Sequence, residues 1–196
     1  MARRSLLSRK TNETDITVRL NLDGTGVTEI ATGVGFFDHM LTAFGRHGLF
    51  DLEIKASGDL HIAAHHTIED VGIVLGQNIA HALGDKRGIQ RFGQACVPMD
   101  DALVDAVADL SGRPYLAWGV SFERQMLGTV DTQLFEEFFR ALTGNGMFTL
   151  HVRQLAGVNA HHVAEASFKA AARALRAAVT LDPRTEGVIP STKGVI

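Results

Sequence analysis

The sequence predicts an α+β fold made by internal duplication, in which each half is a small mixed sheet with two helices on one face. A His-His-x-x-Glu motif begins at His65 and again at His161, 96 residues apart in a chain of 196. Each copy opens a stretch whose apolar residues have helical spacing. Stretches that alternate between apolar and polar residues, typical of half-buried strands, precede both copies in the same order. The predicted halves are residues 1–88 and 89–196, within one compact unit.

The first half is predicted to contain three strands and two helices. Strands are assigned where apolar and polar residues alternate, and helices where apolar residues recur every three or four positions. Asp23-Gly24 predicts the turn after the first strand, and Gly84 is placed as the C-cap of the second helix. The predicted strands are 14–22, 26–31 and 49–55, and the predicted helices are 36–47 and 65–83.

The second half repeats this order. Asn159 stands just before the last predicted helix, where a capping residue is expected. When residues 36–41 are aligned with 134–139, His39 falls opposite Glu137, at an offset of 98. The predicted strands are 91–97, 102–110, 115–122 and 147–152, and the predicted helices are 131–142 and 161–179.

The composition is that of a soluble globular protein, with 45% hydrophobic and 21% charged residues. A net charge of -3 and a pI near 6.3 predict no binding to nucleic acid or to an anionic membrane. Cys96 is the only cysteine, which excludes an intramolecular disulfide and a cysteine-based zinc site. The first residues form no apolar run of signal-peptide length, so a cytoplasmic location is expected.

The repeated motif predicts two metal ions. On a helix, His65 and Glu69 share one face while His66 is turned away by about 100°, so one copy offers ligands in two directions. A single such pair is most often a pair of unremarkable helix-start histidines, but the repetition favours metal binding. Imidazole and carboxylate ligands suit Mn, Fe, Zn or Ni. The eight candidate ligands are His39, His65, His66, Glu69, Glu137, His161, His162 and Glu165.

Basic residues near turns and termini indicate an anionic ligand. Arg91, Arg113, Lys169 and the tail 190–194 (Pro-Ser-Thr-Lys-Gly) carry groups that bind phosphate well, although each alone is more often a solvated surface charge. Glu13, just before the first predicted strand, is a candidate general base if it folds toward the metals; otherwise it is a solvated charge.

Several motifs together resemble the imidazoleglycerol-phosphate dehydratase family of histidine biosynthesis. The resemblance runs from residues 9–14 to residues 190–194, nearly the whole chain. The motifs that carry it are Phe37-Asp38-His39-Met40-Leu41, His65-His66-Thr67-Ile68-Glu69-Asp70, the segment 109–115 (DLSGRPY), Asn159-Ala160-His161-His162 with Glu165, Phe168-Lys169-Ala170, and Pro190-Ser191-Thr192-Lys193-Gly194.

The resemblance implies a hydro-lyase that converts imidazole glycerol phosphate to imidazole acetol phosphate and water. It implies two Mn²⁺ ions per active site, held by the eight candidate ligands, and a homo-oligomer of 24 subunits with sites at subunit contacts. Glu13 and His47 are implied as catalytic residues. Contacts with the substrate and its phosphate are implied for Glu13, His39, His47, Arg91, Arg113, Lys169, Ser191 and Lys193.

Three positions depart from the family pattern. The family usually has His at position 137 and Asp-Asp at positions 63 and 64, where this chain has Glu137, Ala63 and Ala64. The alanines predict that the first metal helix lacks the cap that Asn159 gives the second. Two other functions fit the same ligands: another metal-dependent lyase or hydrolase of a phosphorylated small molecule, and a metal-clipped oligomeric shell with weakened catalysis.

Overall fold

The computed structural model describes residues 3–196. The first half consists of β1 (Arg4–Lys10), β2 (Thr14–Asn21), β3 (Thr28–Ala31), α1 (Gly35–Gly48), β4 (Asp51–Gly58) and α2 (His65–Leu83). The second half consists of β5 (Phe92–Met99), β6 (Ala102–Asp109), β7 (Tyr115–Gly119), β8 (Met126–Leu127), β9 (Val130–Asp131), α3 (Gln133–Gly146), β10 (Thr149–Ala156) and α4 (Ala160–Val179). A short 3-10 helix, Pro183–Thr185, precedes the C-terminal tail.

The two halves have the same topology. Their sheets have the strand orders β1-β2-β4-β3 and β5-β6-β10-β7. In each sheet the first two pairings are antiparallel and the last is parallel. The β8–β9 hairpin is an insertion in the second half, and it explains why β2 and β6 begin 88 residues apart whereas α1 and α3 begin 98 apart. The predicted α+β fold of two similar halves is confirmed.

Each sheet buries one face under helices. In β2, Ile16, Val18 and Leu20 are buried while the residues between them are more exposed, as the alternation in the sequence predicts. The halves meet through their helices, since α2 packs along α3 and α1 packs against α4. Within residues 3–196, none of the helices has the length and apolar content needed to cross a bilayer.

The sequence-based assignment missed β1. Its only pairing is with β2, at the edge of the sheet, and Leu6 on its outer face is 55% exposed. Charged residues flank the Leu6-Leu7 pair at both ends, so the stretch lacks a clear alternation. The hairpin of β8 and β9 was also missed, because two-residue strands are too short to carry a periodic pattern.

Gly76 allows the close approach of α2 and α3. A Cβ atom at this position would lie 2.5 Å from the Leu142 carbonyl oxygen and 2.8 Å from the Gly146 nitrogen, both of which are backbone atoms. We expect Gly76→Ala to lower the free energy of unfolding by about 1–3 kcal/mol, because the helices must separate. Gly144→Ala is the matched control, since a Cβ there meets nothing within 4 Å; it should be neutral or stabilising by about 0.4–1 kcal/mol. Urea denaturation measures both, and equal effects would contradict the close-packing argument.

Candidate active site

His39, His161 and Glu165 converge where α1 packs against α4. The His39 Nε2 atom lies 3.2 Å from Glu165 Oε2, and the His161 Nε2 atom lies 3.3 Å from the same oxygen. Glu165 and His161 share one face of α4 because they are four residues apart. The Phe36 ring is nearly perpendicular to both imidazole rings. Two imidazole nitrogens and a carboxylate oxygen therefore lie within 4.8 Å of one another, on elements contributed by both halves.

Lys169 fixes the orientation of the Glu165 carboxylate. Its Nζ atom lies 2.6 Å from Glu165 Oε1, one turn along α4, and both side chains are largely buried. Although burial opposes the shift, the hydrogen bond from Lys169 lowers the pKa of Glu165. Oε1 is thus occupied by an ammonium group, and Oε2 is directed at the histidines. The Lys169 ammonium lies on Glu165 in this structure, and its predicted contact with the phosphate stays a prediction.

A second cluster joins Glu13, Asp59 and His66. The His66 Nδ1 atom lies 2.9 Å from Asp59 Oδ2 and 3.8 Å from Glu13 Oε2. The hydrogen bond with Asp59 raises the pKa of His66. Pairing of β1 with β2 brings Glu13, in the turn between them, to the start of α2. The candidate base therefore lies beside a candidate metal ligand, and its role as a base stays a prediction.

His162 occupies the equivalent position in the second half. Its Nδ1 atom lies 2.7 Å from Asp101 Oδ1, in the turn between β5 and β6. The other oxygen of Asp101 accepts hydrogen bonds from the backbone N–H groups of Val158 and Asn159. These two bonds, together with that from His162, hold the pKa of Asp101 far below its usual range. Asp101 therefore stays ionised and orients His162.

The remaining predicted ligands are less closely assembled. His65 Nε2 and Glu69 Oε2 lie 3.7 Å apart, and both side chains are nearly half exposed. Glu137 lies 3.6 Å from Arg140 Nε, one turn away on α3. Neither of the two potential metal clusters found in residues 3–196 contains any of these three. The roles of His65, Glu69 and Glu137 as metal ligands stay predictions.

The caps of the two metal helices differ, as the sequence predicts. Asn159 accepts hydrogen bonds from the backbone N–H groups of His161 and His162 at the start of α4. The corresponding residue before α2 is Ala64, whose methyl group cannot accept a hydrogen bond. The start of α2 is therefore held less firmly than that of α4.

Four of the predicted phosphate-binding residues, Arg91, Arg113, Ser191 and Lys193, line one pocket of about 210 Å³ at the C-terminal tail. Arg91 has a left-handed backbone (φ 69°), an unfavourable conformation that costs about 1–3 kcal/mol and is often found at functional sites. Its guanidinium pairs with Asp109 at 2.7 Å and donates to the Pro190 carbonyl at 2.8 Å. The pocket is lined by Arg91, Ser111, Arg113, Ser191, Thr192, Lys193, Val195 and Ile196.

His47 lies in the last turn of α1, within electrostatic reach of Lys169 and Arg173 on α4. Burial lowers its pKa, and the positive charges of Lys169 and Arg173 lower it further. The imidazole is therefore neutral at pH 7. Its predicted role at the substrate stays a prediction.

Sequence reasoning missed three carboxylates that contact predicted site residues: Asp59, Asp101 and Asp109. Each holds a predicted site residue in place: Asp59 and Asp101 contact histidines, and Asp109 contacts Arg91. Metal-binding histidines usually donate their other ring N–H to such a carboxylate. That rule predicts a carboxylate beside each pair of histidines, but the sequence alone does not say which residue supplies it.

Comparison with known proteins gives a consistent result. The family model described as imidazoleglycerol-phosphate dehydratase matches residues 32–175. The imidazoleglycerol-phosphate dehydratase of Gluconacetobacter diazotrophicus is 66% identical, with 100% of this chain and 98% of that protein aligned. The enzyme from Pyrococcus furiosus superimposes with a TM-score of 0.84 at 39% identity, covering 97% of this chain and 100% of that one. The Staphylococcus aureus enzyme gives 0.83 at 41% identity, covering 91% and 99%. The predicted resemblance is confirmed, and the chain belongs to the imidazoleglycerol-phosphate dehydratase family of hydro-lyases.

Proposed function

We propose that this protein removes water from imidazole glycerol phosphate to give imidazole acetol phosphate in histidine biosynthesis, and that the reaction depends on Mn²⁺. The observation that carries the metal dependence is the convergence of His39, His161 and Glu165 from two halves of the chain. Two imidazole nitrogens and one carboxylate oxygen that converge in this way are arranged as the ligands of a divalent cation would be.

The donor set fits Mn²⁺. Two imidazole nitrogens and one carboxylate oxygen are donors that Mn²⁺ accepts, and a site with only three protein donors leaves positions open. Lys169 occupies Glu165 Oε1, so Glu165 offers a single oxygen. His66 and His162 would each contribute to a metal through Nε2, since their Nδ1 atoms face aspartates. When bound, the metal ions supply Lewis acidity toward the imidazole nitrogen and hydroxyl oxygens of the substrate.

Other residues of this chain bind the phosphate and transfer the protons. Arg91, Arg113 and the tail residues Ser191 and Lys193 bind the phosphate through charge-assisted hydrogen bonds. Glu13 takes the proton from the middle carbon of the glycerol chain, and the hydroxyl group on the carbon beside the imidazole ring leaves with that proton as water. The resulting enol gains a proton on the carbon beside the ring and loses the proton of its own hydroxyl, which gives the ketone. His47 contacts the substrate as a neutral imidazole, because its lowered pKa leaves it without a positive charge at pH 7.

Completion of the site by other copies of the chain is part of the proposal. The two clusters and the tail pocket have no residue in common within residues 3–196. The side chains of His65, Glu69 and Glu137 are partly exposed, so residues of another chain can reach them. A homo-oligomer of 24 subunits would bring these parts together. Light scattering would then give a mass close to 24 times that of the 21.1 kDa chain.

Turnover by chelator-treated protein tests the proposed function. We expect no detectable imidazole acetol phosphate without added metal, and turnover restored by Mn²⁺, because the metal supplies the Lewis acid. Mg²⁺ is the control, since it binds imidazole poorly and should restore little. Turnover of the same rate in metal-free protein would contradict the metal dependence. Mn²⁺ binding without any turnover would favour the shell function.

A further inference from the structure

The structure points to Asp59 as a positioning residue that keeps the proton of His66 on Nδ1. This leaves Nε2 as the ligand atom of His66 and leaves the Glu13 carboxylate free for the substrate. The inference rests on the proposed metal-dependent function, and it explains why the two halves of the chain differ around their second histidines.

The distances favour Asp59 over Glu13 as the partner of His66. Asp59 Oδ2 lies 2.9 Å from His66 Nδ1, a normal hydrogen-bond distance, whereas Glu13 Oε2 lies 3.8 Å away. An ionised carboxylate only accepts hydrogen bonds, so Nδ1 is the donor. A neutral imidazole with its proton on Nδ1 has its lone pair on Nε2, which is then the atom available to a metal.

The second half achieves the same result with a different residue. Glu13 and Asp101 hold equivalent positions, in the turns before β2 and β6, which begin 88 residues apart. Asp101 itself contacts the Nδ1 atom of His162 at 2.7 Å. The residue after β10, equivalent to Asp59 after β4, is Gly157. In the first half, the carboxylate that contacts the imidazole therefore lies at the end of β4, whereas in the second half it lies in the hairpin turn.

Because Asp59 contacts His66, Glu13 does not have to orient a histidine as Asp101 does. Asp101 is fully engaged, because its second oxygen accepts the N–H groups of Val158 and Asn159. The side chain of Glu13 is 57% exposed, whereas its backbone is held by a hydrogen bond. The Asp59 N–H donates to the Glu13 carbonyl oxygen at 3.1 Å, so one residue holds both His66 and the strand end that carries Glu13.

The other oxygen of Asp59 argues against a purely structural role. Oδ1 is buried and has no hydrogen-bond partner among residues 3–196. A buried acceptor without a partner lowers stability. Replacing Asp59 by Asn keeps the shape of the side chain and still leaves one of its polar atoms without a partner, so the melting temperature should change little, whereas a residue retained for stability would show a loss.

Asp59→Asn provides the test, because it keeps the shape of the side chain but its amide can also donate to Nδ1. In metal-free, ¹⁵N-histidine-labelled protein at pH 8.5, NMR reports which ring nitrogen carries the proton, and His66→Gln assigns the signal. We expect the unchanged protein to show His66 in the Nδ1–H form and Asp59→Asn to show a mixture. A predominantly Nε2–H imidazole in the unchanged protein would overturn the inference.

Mn²⁺ titration followed by the EPR signal of the free ion is the second measurement. One class of site in Asp59→Asn should bind about 10–100-fold more weakly, while the other class keeps its affinity. Asp85→Asn, an exposed aspartate that pairs with Arg87, should change neither class. Equal affinities for the unchanged protein and Asp59→Asn would overturn this inference alone. Absence of Mn²⁺ binding by the unchanged protein would overturn the proposed metal dependence, and this inference with it.

Discussion

Glu13→Gln should lower kcat by about 10²–10⁴-fold, the usual contribution of a general acid or base. The substitution keeps the size of the side chain and removes only its ability to take a proton. KM should change little, because the phosphate is held by a separate pocket at Arg91 and Arg113. Steady-state kinetics with Mn²⁺ in excess give both constants.

The position of Glu13 supports an effect on chemistry rather than on folding. Its carboxylate is more than half exposed and 3.8 Å from His66, so the fold gains little from it. Glu53→Gln is the matched control: Glu53 lies on β4, paired with Lys55 at the surface, and its amide should leave kcat unchanged. If Glu13→Gln kept kcat within about twofold of the unchanged protein, another group would have to move the proton.

The sequence predicted the parts of this fold that repeat and are buried. The helices at His65 and His161 begin within one residue of their predicted starts, because apolar spacing and the Asn159 cap are local signals. The edge strand β1 was missed because exposed edge positions need no apolar residue. The spacing of apolar residues thus predicts the elements that contribute to the core, but it does not predict elements whose side chains are mostly exposed to solvent.

The candidate site shows the same division. Two His-x-x-x-Glu pairs could be placed on helix faces from spacing alone, and His39 could be added through the aligned duplication. Asp59 and Asp101 could not, since their contacts depend on how the turns before α2 and β6 fold back onto the helices. Glu137 was predicted as a ligand by its alignment with His39, but alignment carries no information about Arg140, which pairs with it. Its role as a ligand stays a prediction.

Phe168→Ala should lower the free energy of unfolding by about 3–5 kcal/mol, the range for removing a large aromatic side chain from a core. Phe168 is fully buried on α4. Its ring stacks on Phe138 at 5.3 Å between centroids, lies 4.9 Å from Phe139, and meets Phe135 edge-on. Phe138 in turn meets Phe37 of α1, so the cluster joins the two halves.

The location of this cluster gives the substitution a second expected effect. Phe168 is adjacent to Lys169 and three residues from Glu165, on the helix that carries the first candidate metal cluster. A cavity there should loosen the packing of α1 on α4, and Mn²⁺ affinity should fall together with stability. Phe92→Ala is the control, since Phe92 is 59% exposed on β5 and its ring contacts the Arg91 guanidinium, so its removal should cost no more than about 1 kcal/mol. Urea denaturation and Mn²⁺ titration separate the two effects. His39 belongs to one half and His161 to the other, so the site should depend on the packing between the halves. A loss of stability with unchanged Mn²⁺ affinity would contradict that dependence.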